Sequence, residues 1–186
     1  WVLERCLIEQ LPPNVVASDG TIEQLDTLIA AVRRIVKKSE SRTKQVVAAL
    51  PASAVIAKKV ILPEGLGEDE MDAQIESEAS QYIPFALEEV SIDYYVMGAS
   101  ATSVGDADVM IVAARKDRVG DMQALMSEAG MHLKVLDVAS YAAQSAAERI
   151  IENLPNAGKD AIIALVHVGA SSIYVYVMRN GEVLFE

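Results

Sequence analysis

Residues 78–94, EASQYIPFALEEVSIDY, join an amphipathic helix to a β-strand across a proline. Before the proline, apolar side chains recur at helical spacing and carboxylates occupy most of the other positions. Pro84 stops the helix, because proline lacks the backbone N–H and its ring clashes with the preceding turn. After it, Val90, Ile92 and Tyr94 alternate as in a half-buried strand. The stretch therefore predicts the helix and one strand of a two-layer unit.

Hydrophobic periodicity predicts helices and strands in mixed order along the whole chain. A capping box, Thr21 to Gln24, is expected to open the first helix. From residue 55 to 138 the order strand, helix, strand, strand, helix, strand predicts a compact α+β module with its own core. The predicted strands are residues 1–11, 45–50, 55–62, 90–97, 109–114, 133–138, 161–166, 173–178 and 183–185, and the later helices are residues 68–83, 117–129 and 140–153.

Composition excludes several classes of function. The 186 residues carry a net charge of −11, which argues against nucleic acid, since its binders place Lys and Arg against phosphates. No apolar run approaches the roughly 20 residues that span a bilayer, so we expect no direct membrane insertion. One basic cluster suggests either a membrane surface or, as we prefer, cations that complement the end of the first helix. Its members are Arg33, Arg34, Lys37, Lys38, Arg42 and Lys44.

Catalytic and metal-binding residues have little support. Cys6 is the single cysteine, so it can form no internal disulfide and indicates a reducing compartment. His132 and His167 do not form a zinc ligand set with it. Paired carboxylates lie on strongly acidic segments, whereas an acid–base pair needs burial or a cleft. These pairs are Glu76 with Glu78 and Glu88 with Glu89. We therefore predict no catalytic residue and no metal ligand.

Residues 78–93 closely resemble a signature of the PilM family of type IV pilus assembly proteins, in which a YIPF block precedes an EEV strand. Further similar blocks follow in family order: residues 49–51, 61–63, 113–116, 129–130 and 135–138. Within the YIPF block, Tyr82, Ile83, Pro84 and Phe85 are candidate partner-binding residues. The alternative is that Ile83 and Phe85 only close the core, since aromatic residues dominate both cores and interfaces.

The resemblance implies a partial actin-like (ribonuclease H-like) fold of α/β and α+β class. Residues 1–54 would be the remainder of subdomain 1A, and residues 55–138 an inserted subdomain 1C of β-α-β-β-α-β order. Residues 139–159 would be the return helix and linker of 1A, and residues 160–186 the first strands of subdomain 2A. It also implies a fragment that lacks earlier strands and a C-terminal half. The resulting open sheet edges favour a homodimer or a strand swap.

A second candidate site is the turn after the strand at residues 161–166. Backbone N–H groups of Gly169, Ala170, Ser171 and Ser172 could form an anion-binding concavity, although such residues are also common in ordinary hairpins. In the resembling superfamily, which includes the cell-division protein FtsA, this loop holds a nucleotide phosphate. His167 stands where an aspartate is usual, and an imidazole is a poor ligand for Mg²⁺. ATP and Mg²⁺ are thus expected only for a full-length protein, and no cofactor for this chain.

The resemblance implies a cytoplasmic scaffold of type IV pilus biogenesis and twitching motility, held at the inner membrane through its partners. Its expected partners are the N-terminal cytoplasmic peptide of PilN, received in a groove between 1A and 1C, and other pilus assembly proteins. Extended-peptide capture beside a sheet suits this architecture. The alternatives are an actin-fold ATPase whose hydrolysis drives assembly, an FtsA-like division filament, and a free-standing α+β interaction module.

Overall fold

Helices and strands follow one another in mixed order in the computed structural model, which describes residues 2–169, 173–180 and 182–185. The helices are α1 (Leu25–Ser39), α2 (Glu68–Tyr82), α3 (Lys116–Glu128) and α4 (Ala139–Ile151). The strands are β1 (Gln45–Leu50), β2 (Val55–Pro63), β3 (Val90–Ala99), β4 (Asp106–Arg115), β5 (His132–Val138), β6 (Ile162–Val168), β7 (Ile173–Arg179) and β8 (Glu182–Phe185). The predicted mixed α/β and α+β class is confirmed.

The first sheet is a parallel pair of β1 and β5, with Leu50 opposite Val138. α3 packs against β5 and against α1, and α4 contacts both strands. α3 ends where Gly130 adopts φ +80° and its N–H donates to the carbonyl of Ser127 at 2.9 Å. Across this end, Arg33 of α1 donates from Nε to the carbonyl oxygen of Glu128 at 2.9 Å. The chain therefore leaves α3 directly into β5.

The second sheet is antiparallel, with strand order β2-β4-β3. Alternate residues of β4 are buried because α2 covers one face of this sheet. Two packed clusters form the core of this unit: Leu62, Ile75, Val109 and Ile111, and beside them Ala79, Ile83, Val90 and Ala113. The opposite face, which carries Asp93, Tyr95 and Val112, is turned away from α2. That uncovered face forms one wall of the candidate site.

The third sheet, β6-β7-β8, is antiparallel and follows α4. Tyr176 and Met178 of β7 are buried, as alternate residues on one face should be. The other face is apolar and exposed within the part of the chain that the structure describes, notably at Ile162, Val166 and Ile173. The segment that leads into β6 packs closely against the end of α4. A side chain at Gly158 would not fit there, because its Cβ would lie 2.7 Å from Cγ2 of Ile151.

The predicted first strand is wrong, since residues 2–11 have no regular secondary structure. Val2 and Ile8 are 86% and 88% exposed. A strand forms only beside a partner strand, and the described residues provide none next to this segment. The segment is instead attached to α1 by charge, because the carboxylate of Glu9 accepts hydrogen bonds from Arg34 Nε at 2.6 Å and Lys38 Nζ at 2.7 Å.

The predicted capping box at Thr21 and Gln24 is also wrong, because Gln24 itself precedes α1 and makes no side-chain cap. Thr21 instead donates its N–H to Asp19 Oδ1 at 2.9 Å in a local turn. Half of such a box occurs at α2, where Glu70 Oε2 accepts from the N–H of Gly67 at 3.0 Å. The local sequence pattern therefore predicted a helix start at residues that form a polar turn.

The sheet membership of the last predicted strand of the 55–138 module differs from expectation. β5 pairs in parallel with β1 and contributes nothing to the β2-β4-β3 sheet. Strands 55–63, 90–99 and 106–115 with α2 thus form one layered unit, while α3 and β5 pack with α1 and β1. The order of helices and strands within this module was predicted correctly. The sheet that β5 joins was not, because pairing between segments distant in sequence leaves no local signal.

Candidate functional site

An open groove of about 560 Å³ lies between the uncovered face of the antiparallel sheet, the end of β5 and helix α4. Asp93, Tyr95 and Met97 alternate along β3 on the sheet side. On the α4 side, Tyr141 and Glu148 are seven residues apart and so share one helix face with the residues between them at helical spacing. The other residues of its lining are Tyr94, Val112, Leu136, Asp137, Val138, Gln144 and Ser145.

The groove is acidic. Asp93, Asp137 and Glu148 line it, and the lining contains neither lysine nor arginine. Asp93 Oδ1 accepts from the N–H of Tyr94 at 2.9 Å, and Asp137 Oδ1 accepts from the N–H of Val138 at 2.7 Å. Within the described residues none of the three carboxylates forms an ion pair. Three uncompensated negative charges beside aromatic rings favour a cationic ligand group.

A free strand edge borders the groove. β3 pairs with β4 on one side, and the described residues place no strand on its other side. Tyr95, Val96 and Met97 along this edge are exposed. Unpaired backbone N–H and C=O groups on such an edge can add the strand of an extended peptide. The arrangement thus offers main-chain hydrogen bonds, apolar contacts and negative charge in one place.

The predicted partner-binding block lies elsewhere. α2 ends at Tyr82, and Ile83 caps it and is buried in the core, whereas Pro84 and Phe85 are exposed. The guanidinium carbon of Arg115 lies 5.2 Å from the centre of the Phe85 ring. None of these four block residues lines the groove, because α2 and its end lie on the opposite face of the sheet. The block therefore divides into a core part and a small exposed part.

Arg115 is held in place at this exposed part. Its Nε and Nη2 atoms both donate to the carboxylate of Asp117, and the distance from Nη2 to Oδ2 is 2.6 Å. These hydrogen bonds lower the pKa of Asp117 below its usual range and raise that of Arg115. Lys116 beside them donates from Nζ to the carbonyl of Glu88 at 2.8 Å. Phe85 thus lies against a charged and ordered surface.

Of the predicted phosphate loop, Gly169 follows β6, while Ala170, Ser171 and Ser172 lie outside the described residues. His167 of β6 pairs in register with Tyr174 of β7, and their ring centres are 6.1 Å apart. Both face a small cavity of about 80 Å³ at the start of α4, whose other lining residues are Ala52, Ala139, Ser140, Ala143 and Tyr176. Among the described residues, no group of three His, Cys, Asp or Glu could hold a metal ion.

Sequence reasoning missed the residues of the acidic groove. The sequence predicts residues 140–153 only as a helix, although Tyr141, Gln144 and Glu148 recur in it at spacings of three and four. That recurrence was the available signal. The contribution of Asp137 could not be found locally, because it depends on the pairing of β5 with β1.

A family profile described as Type IV pilus assembly protein PilM matches residues 1–186. Among solved structures, a chain of a PilM–PilN type IV pilus biogenesis complex is similar, with a TM-score of 0.80 and 25% identity. That match covers 95% of this chain and 51% of the other. The cytoplasmic domain of EpsL, an inner membrane component of the type II secretion system of Vibrio cholerae, matches with a TM-score of 0.45 and 22% identity, over 59% of this chain and 42% of that one.

The match to the PilM–PilN chain defines this chain as an α/β protein with the partial actin-like fold of PilM. It belongs to the PilM family of type IV pilus assembly proteins. The chain spans about half the length of the PilM–PilN chain that it matches. No helix in the described part of the chain is both long and apolar enough to cross a membrane.

Proposed function

We propose that this chain is the peptide-receiving part of a cytoplasmic scaffold in type IV pilus assembly, and that the acidic groove binds an N-terminal PilN peptide. The similar solved structure is a complex of PilM with PilN, which supports the choice of partner. The observation that carries the choice of site is the free edge of β3 beside a groove with three uncompensated carboxylates. Binding to this partner would then hold the chain at the inner membrane.

The chemistry of the groove sets what the peptide should contain. An extended segment along β3 would exchange main-chain hydrogen bonds and place alternate side chains toward the sheet face. Met97, Val112 and Leu136 provide apolar contacts. Asp93, Asp137 and Glu148 favour a lysine or arginine in the segment. We therefore expect binding of a short peptide with apolar residues and at least one cation, weakened by salt because Asp93 and Glu148 are exposed.

Calorimetric titration of the chain with a synthetic PilN N-terminal peptide tests this function. Ser145→Trp places a large ring in the groove, whereas Ala146→Trp, one residue later and exposed, does not line the groove and serves as the matched control. We expect one-to-one binding that Ser145→Trp weakens at least tenfold and Ala146→Trp leaves nearly unchanged. Equal affinity of both variants would refute the groove as the site.

The exposed part of the YIPF block is a second proposed contact. Phe85→Ala removes the ring that lies against Arg115 and leaves the groove intact. A loss of peptide affinity in Phe85→Ala but not in Ser145→Trp would move the proposed site to the α2 side of the sheet. Light scattering of the same samples tests the expected homodimer or strand swap, for which the outer strands of the three sheets, β1 and β3 among them, offer free edges in the described residues.

ATP binding is a second proposed function, for a whole protein that includes the other half of the matched length. The cavity beside α4 supports it, because Ser140 at the start of that helix, His167 and Tyr174 suit a phosphate oxygen. The described residues do not fit a protein-bound Mg²⁺, since no carboxylate lines this cavity. We expect ATP to raise the melting temperature of the whole protein equally with and without Mg²⁺. A rise that requires Mg²⁺ would contradict this assignment.

A further inference from the structure

Four exposed cations converge at one end of the β1–β5 unit. Lys37 lies in the last turns of α1, Arg42 and Lys44 in the segment before β1, and Lys134 near the start of β5. Parallel strands begin at the same end of a sheet, and the N–H of His132 donates to the carbonyl of Lys44 at 2.7 Å. We call Lys37, Arg42, Lys44 and Lys134 the basic end.

The basic end is not explained by internal pairing. Neighbouring cations are satisfied, because Glu9 binds both Arg34 and Lys38 and the carboxylate of Glu128 lies 3.7 Å from Arg33. Within the described residues, none of the four cations of the basic end forms an ion pair. Complementing the α1 dipole accounts at most for Lys37, since that effect is confined to the last turn.

Charge in this chain is strongly segregated. The net charge is −11, yet the basic end carries uncompensated positive charge. By contrast, α2 has six Asp and Glu residues and neither Lys nor Arg. A long polyanion that wraps the protein would meet those acidic surfaces, whereas a planar anionic surface touches one end only. The segregation therefore favours a flat negative partner.

We propose that the basic end docks on a bilayer that contains anionic lipid headgroups. Each Lys or Arg near such a surface strengthens binding by about fivefold, so four act together as a weak but useful contact. β5 runs from the basic end to the groove over its seven residues, about 20 Å. A docked chain would hold the groove at that height, within reach of six or seven extended residues of a membrane-anchored partner. The contact itself goes beyond the proposed peptide function and requires no peptide.

The test is flotation of the chain, without peptide, on phosphatidylcholine vesicles with and without phosphatidylglycerol. Arg42→Glu with Lys44→Glu changes two exposed residues of the basic end. Lys58→Glu with Lys159→Glu, also exposed and remote from it, changes net charge by the same amount. We expect binding only to vesicles with phosphatidylglycerol, loss at about 1 M salt, and at least a tenfold decrease for the first double variant alone.

Three outcomes would overturn the proposal. The first is absence of binding to anionic vesicles at about 0.1 M salt. The second is an equal loss in both double variants, which would assign the effect to net charge. The third is saturable binding of inorganic phosphate, or of a single-stranded oligonucleotide, that Arg42→Glu with Lys44→Glu abolishes while vesicles remain unbound. Because none of these assays contains PilN peptide, their failure is distinct from failure of the groove proposal.

Discussion

Replacing Tyr82 with phenylalanine should stabilise the protein. The Tyr82 hydroxyl is buried and has no hydrogen-bond partner in the described structure, while its ring packs against both core clusters under α2. A buried polar group without a partner costs roughly 1–3 kcal/mol of folding free energy. Phenylalanine keeps the ring contacts and removes only that cost. Because Tyr82 as a whole is half-buried, we expect a gain at the lower end, about 1 kcal/mol.

Thermal and urea unfolding of the variant measure this gain. For a chain of this length, about 1 kcal/mol corresponds to a rise in Tm of about 2–4 °C. Tyr94→Phe is the matched control, because the Tyr94 hydroxyl donates to Asp72 Oδ1 at 3.0 Å and its loss should destabilise. Opposite signs for the two variants are the expected result. A destabilised Tyr82→Phe would refute the reasoning, since it would mean that the hydroxyl is hydrogen-bonded in solution.

The pH dependence of stability offers a second view of the same residue. Burial, and then the charge of Glu78, raises the pKa of Tyr82. The folded state therefore favours the neutral phenol, and its contribution is complete below the unfolded pKa of about 10 and is lost as the pH rises through the higher folded value. Wild-type stability should fall more steeply than that of Tyr82→Phe above pH 10. Parallel curves would contradict this assignment.

Three further predictions concern the rest of the fold. The hydrogen bond from Lys38, and then that from Arg34, lowers the pKa of Glu9. The stability that Glu9 contributes is therefore present above its unfolded pKa of about 4.5 and is lost as the pH falls through the lower folded value. The urea midpoint of Glu9→Gln should lie below that of wild type at pH 7, and the two midpoints should converge in acid. Gly20→Ala should cost about 1–3 kcal/mol more than Gly65→Ala in urea unfolding, because both have positive φ but only at Gly20 would the new Cβ meet Pro51, at 2.5 Å. In Arg115→Gln, NMR titration should show the pKa of Asp117 rising toward its ordinary value, and an unchanged value would mean that Arg115 does not hold this carboxylate in solution.

Local signals predicted elements well where the chain itself enforces them. The α2 helix ends before Pro84 as expected, because proline cannot continue a helix whatever surrounds it. β1 was predicted with its observed bounds because Pro51 follows an apolar run. The same signal, an apolar run followed by proline, gave a wrong prediction for residues 2–11, because an apolar run becomes a strand only beside a partner strand. The error at Thr21 has a similar origin, because one polar residue suits a turn and a cap equally.

Prediction of the candidate site was weaker because the groove belongs to no single element. Its walls come from β3, β5 and α4, and their meeting depends on β5 joining β1. The YIPF block is the most distinctive motif in the sequence, yet half of it lies in the core and none of it lines the groove. The distinctive block therefore identifies the family, whereas the residues that line the groove form no comparable motif in the sequence.

The antiparallel sheet returns the chain to the point where it left the parallel pair, and this geometry has a consequence for the order of folding. About 80 residues separate β1 from β5, and closing so long a loop is entropically costly and slow. However, Val55 at the start of β2 lies opposite Ala114 at the end of β4, so folding of the antiparallel sheet brings the two ends of the segment from β2 to β4 together. The effective loop then shrinks to little more than α3. Formation of the antiparallel sheet with α2 should therefore precede pairing of β1 with β5, and substitutions that weaken the core of that unit should slow the appearance of the parallel sheet.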